Sequence, residues 1–335
     1  MGLMDSLRVK AAASPQRVAF CEGTNETMMR AVAELTAAGL AKCVLVGDVA
    51  ELQQLAKERG ISLDGVELED VGDEARNDAL ADRYTALPTC LLSRKSVLRK
   101  LRKPMDHAMI LQALDDVDVT FSGIDCSTQD VILAGQTFVG LKEGIDTISS
   151  MGIFDIPGWE GSEGSLLGFG DSAVCVNPDP SQLASIAISA AETVHALAGW
   201  EPRVALLSYS TDHSASGELV DKVREAVRIA NERRPDLKID GEFQLDAAIR
   251  PEIAKKKVHR DSEVAGKANV IIWPDINVGN VGVKLVQNFA HADAYGPMLQ
   301  GFKKVVCDCS RSAPVSEIVG NVVMSCVRAQ AEKEA

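Results

Sequence analysis

Aromatic side chains are scarce in this chain, at 4% of its 335 residues, while hydrophobic residues reach 46%. Its cores must therefore be built from Ala, Val, Ile and Leu. A basic surplus is also missing. There are 35 Lys and Arg against 48 Asp and Glu, a net charge of −13. That balance excludes general nucleic-acid binding, and an anionic ligand would need a local basic pocket. No apolar run approaches the roughly 20 residues of a membrane span. The eight cysteines are scattered, mostly inside apolar runs. Cys307 and Cys309 have neither a second pair nor a nearby His to complete a metal site, so none is expected. The length makes a disulfide framework unnecessary, and no secretory leader pattern is present. A reducing cytoplasm is the expected location. Internal repeats, low-complexity tracts and heptad seams are absent as well.

What is present is a regular alternation. The length suggests two domains. RVAFCEG (residues 17–23) reads as a strand. Thr24 or Asn25 can cap the helix that follows, and Gly39 can close it. KCVLVGD (42–48) reads as the next strand and VAELQQLAKERG as the next helix. This order predicts an α/β protein of mainly parallel sheets flanked by helices. Residues 61–83 are acidic and weakly patterned. Residues 93–103 form one dense basic run, with six Lys and Arg. It reads as a solvated helix face, with contact to the phosphates of a ligand the alternative. VDVTFSG (117–123) is a further strand. The Gly-rich segment 155–171 reads as a hairpin or loop near the passage between domains. DPSQLASIAISAAETVHALAG (179–199) is a long helix with a Gly stop. The expected division is residues 1–150 plus 305–335 for one domain and 151–304 for the other.

Residues 203–319 repeat one pattern: a buried strand, a polar turn, an amphipathic helix. RVALLSYS runs into TDHSASGELVDKV, ANVIIWPDI into NVGNVGVKLVQ, and KKVVCD into CSRSAPVSEIV. Ligands of open α/β sheets bind at the carboxyl ends of strands, where helix N-termini favour anions. The three turns predict one converging site for a phosphorylated or otherwise anionic ligand.

The same stretches, with QLDAAIRPEIA, GPMLQGF and DVDVTFSGIDCSTQD, resemble the phosphate acetyl/butyryltransferase family over nearly the whole chain. The resemblance implies a homodimer, a cleft between two α/β domains, and acyl transfer, most simply of acetyl, between coenzyme A and phosphate. Coenzyme A would enter as a substrate, without any tightly bound cofactor. Membrane and nucleic-acid partners are not implied. Residue by residue, the family's Ser-Arg pair falls on Ser310 and Arg311, which would hold phosphate and developing charge. Its carboxylate base falls on Glu317, a Glu where Asp is usual. Substrate contacts would come from Ser127, Thr128, Ser210, Thr211, His213, Ser214, Asn277 and Asn280. The two asparagines are also expected to cap their helix, and Gly279 to permit a tight turn. Asp171 and Asp246 read as structural.

Several positions depart from the family. A family arginine falls on Leu133, the acid and Arg of an early EGxDxR pattern fall on Asn25 and Thr27, and a glycine falls on His213. Three readings stay open: an ordinary enzyme with a rearranged pocket, a relative with another acyl group or acceptor, and a non-catalytic acyl-CoA binder.

Overall fold

A computed structural model describes residues 2–334. The chain divides into two compact units, Met1–Gly140 with Phe302–Ala335, and Leu141–Gly301. The first unit begins with helix α1 (Leu3–Ala13), strand β1 (Arg17–Phe20), α2 (Glu26–Ala37), β2 (Lys42–Gly47), α3 (Val49–Arg59), β3 (Glu67–Asp70) and α4 (Glu74–Thr85). It continues through α5 (Arg94–Leu101), α6 (Pro104–Ala113), β4 (Val119–Phe121) and α7 (Thr128–Phe138). The second unit holds β5 (Ser149–Asp155), β6 (Leu166–Gly170), α8 (Pro180–Ala198), β7 (Arg203–Leu207), α9 (Glu218–Arg233), β8 (Lys238–Phe243) and α10 (Leu245–Ile249). It ends with α11 (Pro251–Lys257), β9 (Val270–Ile272), α12 (Ile276–Phe289) and β10 (Asp293–Gln300). The chain then returns to the first unit with β11 (Val305–Cys307) and α13 (Val315–Glu334).

The first sheet runs β11-β4-β1-β2-β3, and every pair in it is parallel. Its central strands are short unbroken apolar runs, as expected of strands covered on both faces. Asn25 caps α2, its side-chain oxygen accepting from the Thr27 amide at 2.9 Å. Gly39, at φ 65°, ends the turn after that helix. The acidic stretch 61–83 supplies β3 and α4. Its pattern is faint because β3 is an edge strand with a single buried side chain. The basic run forms α5, and much of its charge is answered inside the fold. Arg94 pairs with Asp78 at 2.7 Å and Asp82 at 2.6 Å, Arg102 with Glu74 at 3.1 Å, and Lys100 with Asp106 at 3.1 Å.

The second sheet runs β10-β5-β6-β9-β7-β8. Strands β6, β9, β7 and β8 are parallel, while β5 is antiparallel to both β6 and β10. The Gly-rich segment is therefore a hairpin inside this unit, closed by a Gly161–Gly164 bridge, and not a passage between units. A boundary at 150 would cut β5. The first crossing lies at Gly140–Leu141 and the return at Gly301–Phe302. Helix α8 starts at an Asp179 capping box with Pro180 in its first turn, and stops at Gly199 in the left-handed conformation.

Candidate functional site

In the first unit, β11, β4 and β1 lie side by side, so their carboxyl ends share one edge. β1 leads to Glu22. Its carboxylate accepts the amides of Ile124 (3.0 Å), Asp125 (3.0 Å) and Cys126 (2.9 Å) from the turn after β4. That turn ends at Ser127, which caps α7 in a reciprocal box with Asp130. Thr128, the first residue of α7, donates its hydroxyl to Asp308 at the end of β11. Burial raises the Asp308 carboxyl, and the Glu22 charge adds to this against the Thr128 hydroxyl and Cys309 amide. The second oxygen, Oδ1, is buried with no hydrogen-bond partner. Sequence reasoning missed both Glu22 and Asp308 as organisers of this edge. Their local signal was an acid within two residues of a strand's end.

Two residues on, Ser310 and Arg311 form an exposed turn. The Ser310 hydroxyl pairs with that of Ser312 at 3.0 Å, and its carbonyl accepts the Ala313 amide at 2.9 Å. Ser127's hydroxyl and amide hold Asp130 below the usual carboxylate range, and the charge of Arg311 adds to that. Glu317 is exposed in the first turn of α13, where the helix dipole favours a carboxylate. Ser127, Thr128, Ser310 and Arg311 are thus drawn to one strand-end edge. Cys307 and Cys309 are buried, and burial pushes the Cys307 thiol up to about 12.

The second unit contains the other expected residues. After β7, the Ser210 hydroxyl donates to Glu242 at 2.8 Å and accepts the Ala215 amide at 3.0 Å. The Thr211 hydroxyl accepts the Gln244 amide at 2.8 Å, and its amide donates to Ser214 at 2.9 Å. Both Ser210 and Thr211 are buried. Their hydroxyls are engaged within the loop and with the start of α10. Glu242 is 2% exposed and faces the Arg224 guanidinium at 2.8 Å. Burial alone would raise its carboxyl; Arg224, the Ser210 hydroxyl and backbone amides outweigh that and hold it at about 2. His213 and Ser214 are exposed. His213 has φ 68°, so it keeps a backbone shape natural to glycine.

Asp275, not Asn277 or Asn280, caps α12, accepting the amides of Asn277 (2.9 Å) and Val278 (3.1 Å). A carboxylate two residues earlier already occupies the capping position. Asn280 instead donates to the Ser172 carbonyl at 3.2 Å. Gly279 lies within the helix and not in a turn. A Cβ there would come within 2.3 Å of the Asp171 carbonyl, so close helix packing requires the glycine. Asp171 is structural, its carboxylate accepting three backbone amides and the Ser150 hydroxyl. A cavity of about 370 Å³ opens near the ends of β7 and β9, between Tyr209, Leu219, Lys222, Trp273 and Val278. It escaped sequence reasoning, because its lining is assembled from four separate segments.

Residues 2–326 match the model of the phosphate acetyl/butaryl transferase family. The chain belongs to this family. It is 38% identical to the phosphate acetyltransferase of Clostridium acetobutylicum, over 98% of this chain and 99% of that one. A solved phosphotransacetylase from Streptococcus pyogenes superposes with a TM-score of 0.88 at 31% identity, covering 98% of each chain. The EutD phosphotransacetylase from Staphylococcus aureus gives 0.86 at 29% identity, again over 98% of each.

Membership sharpens the departures. Leu133, where the family pattern has arginine, is on α7 and is 63% exposed. Thr27 lies in the first turn of α2, its amide taken by Asn25. Neither supplies a cation to this edge.

Proposed function

We infer that this chain transfers an acetyl group between coenzyme A and phosphate. The observation that carries this is the open Ser310–Arg311 turn with Glu317 on the next helical turn, in a chain matching the family along its length. A coenzyme A thiol, with a pKa of about 8.5, is mostly protonated at neutral pH. Glu317 takes that proton as the S–H bond breaks. The sulfur forms a bond to the acyl carbon of acetyl phosphate, and the C–O bond to phosphate breaks. The electron pair leaves with phosphate. The Arg311 guanidinium complements its oxygens in a bidentate fork, and Ser310 donates beside it. In the reverse direction, phosphate attacks the thioester and Glu317 returns the proton to sulfur.

The other roles are assigned on the same reading. Ser127 shapes the turn at the first unit's edge. Within the second unit, His213 and Ser214, with Asn277 and Asn280 on α12, are exposed and are its candidates for binding substrate. Ser210 and Thr211 set the loop that presents them. Eight unpaired cysteines support a reducing cytoplasm. For the homodimer, the support is α12. Only Gly279 and Val283 of that helix are buried, whereas Val278, Val281, Leu285 and Phe289 are exposed, Phe289 by 82%. Lys284 is the single charged side chain of the helix. An isologous contact with a second copy would cover this stripe. Wild-type protein should sediment as a dimer at micromolar concentration and Phe289→Glu as a monomer; a monomeric wild type removes the dimer.

The activity is tested by phosphate-dependent acyl exchange with acetyl-, propionyl- and butyryl-CoA. Turnover fastest with acetyl is expected. Faster turnover with a longer chain reassigns the acyl group, and no turnover with any of them, in folded protein, overturns the enzyme. The exposed Leu133 favours one second reading, a protein that binds acyl-CoA without using phosphate. Calorimetric binding of coenzyme A but not of acetyl phosphate is its signature.

A further inference from the structure

Asp308 has no role in the transfer as described, yet it lies two residues before Ser310 and is tied to a distant segment of the chain. Three observations define it. Its Oδ2 accepts the hydroxyl of Thr128, 180 residues earlier in the chain. Its Oδ1 is buried and unpartnered. On the far side lies Gly123 at φ 110°, where a Cβ would come within 2.0 Å of Oδ1 and 2.7 Å of the Cys309 nitrogen. The backbone entering the Ser310–Arg311 turn is thus packed against a glycine on one side and tied to α7 on the other. The neighbouring amides of Ile124, Asp125 and Cys126 are all committed to Glu22. Thr128 is the side chain that meets Asp308 from α7, and it was expected to meet substrate. Its hydroxyl hydrogen is already given to Asp308, so it has none to donate to phosphate.

We propose that Thr128 and Asp308 form a latch that fixes the Ser310–Arg311 turn, both acting on phosphate through that turn without touching it. They are positioning residues. The inference rests on the phosphate role given above to Ser310 and Arg311. A turn free to move would still reach phosphate, but its guanidinium fork would spend less time in register with the oxygens. The loss should therefore appear in phosphate affinity more than in the rate of the bound complex.

The experiment measures acetyl phosphate binding by calorimetry, and KM and kcat for acetyl phosphate, in wild type, Thr128→Val, Thr128→Ser, Asp308→Ala and the Thr128→Val/Asp308→Ala double variant. Thr128→Val should raise Kd and KM about tenfold, the scale of one charge-assisted contact, and change kcat by less than about twofold. Thr128→Ser, which keeps the hydroxyl, should recover most of the loss. The double variant should be no weaker than Asp308→Ala alone, since both changes open one latch. The thermal midpoint of Thr128→Val should stay within about 4 °C of wild type, the shift expected for one lost hydrogen bond. Wild-type affinity in Thr128→Val overturns the latch, as does full additivity in the double variant, which would mean that Thr128 touches phosphate itself. If Asp308→Ala does not fold, equal affinities in Thr128→Val and Thr128→Ser overturn it instead. Wild type that binds acetyl phosphate without turning it over ends the enzymatic reading but leaves the latch to be judged by Kd. Wild type that does neither overturns both.

Discussion

Two turns of this protein look alike in sequence and behave differently in the fold. Each follows a buried strand, is rich in Ser, and opens a helix. After β11, Ser310, Arg311 and Glu317 stay exposed, and the side-chain partner of the Ser310 hydroxyl is the neighbouring Ser312. After β7, Ser210 and Thr211 are buried, with hydroxyls bound to Glu242 and the Gln244 amide. The difference comes from what lies beneath. Under the second turn a buried glutamate collects donors and draws the loop inward. Under the first, Asp308 receives one hydroxyl from another helix, and the Ser310 and Arg311 side chains after it stay exposed. A run of hydroxyls at a strand end therefore says little about chemistry until the local demand of buried acids has been met.

Breaking the open turn should have the larger effect on catalysis. Glu317→Gln should lower kcat by about a hundredfold or more, the usual range for loss of a general base, with acetyl phosphate KM nearly unchanged. A kcat within a few-fold of wild type would remove Glu317 from proton transfer. Breaking the closed turn should damage stability instead. Glu242→Gln should destabilise the second unit by about 3 kcal/mol, because it leaves the Arg224 charge without its buried partner. The Glu242 carboxyl sits at about 2, below its ordinary 4.5. Its contribution is therefore complete above pH 4.5 and lost as the pH falls toward 2. The gap between wild type and Glu242→Gln, followed by denaturant unfolding, should close across that window; a constant gap would show that the carboxylate charge is irrelevant. The smallest change separates the cation from the base. Arg311→Ala should weaken acetyl phosphate use at least about tenfold, a loss of roughly 1.5–3 kcal/mol. Arg311→Lys should restore only part of it, because an ammonium lacks the planar fork. Unchanged phosphate kinetics in Arg311→Ala would make the turn a helix cap and nothing more.

Much of the fold could be read from the chain because the informative signals are local. The apolar runs of β1, β2, β7 and β9, the Asn25 cap and the Gly199 stop each depend on a few consecutive residues. Elements at sheet edges were harder. β3 is ELED and β8 is KIDGEF, charged because one side of each strand lacks a neighbour. β10 contains a Gly-Pro step and an irregular register between Tyr295 and Met298, which hides its alternation. In the candidate site, Ser310 and Arg311 could be named from their motif. The roles of Asp308 and Glu242 could not, since each depends on partners brought from distant segments, such as Thr128 for Asp308 and Ser210 for Glu242.

Helix α12 has one further consequence. A Cβ at Gly279 or Gly282 would come within 2.9 Å of the Trp273 ring, so the helix lies on the indole through its glycines. Val283 and Val286 pack beside them, while Val278, Val281, Leu285 and Phe289 are exposed. The helix is, in effect, worn partly inside out: Leu285 and Phe289 are exposed, whereas Val283 is the larger apolar side chain buried against its own unit. If the proposed second copy covers the outer face, α12 would draw much of its hydrophobic stabilisation from its neighbour, and the folding equilibrium would become one between two chains and not within one. Dilution alone should then loosen this helix, and the melting temperature of the protein should climb with its own concentration.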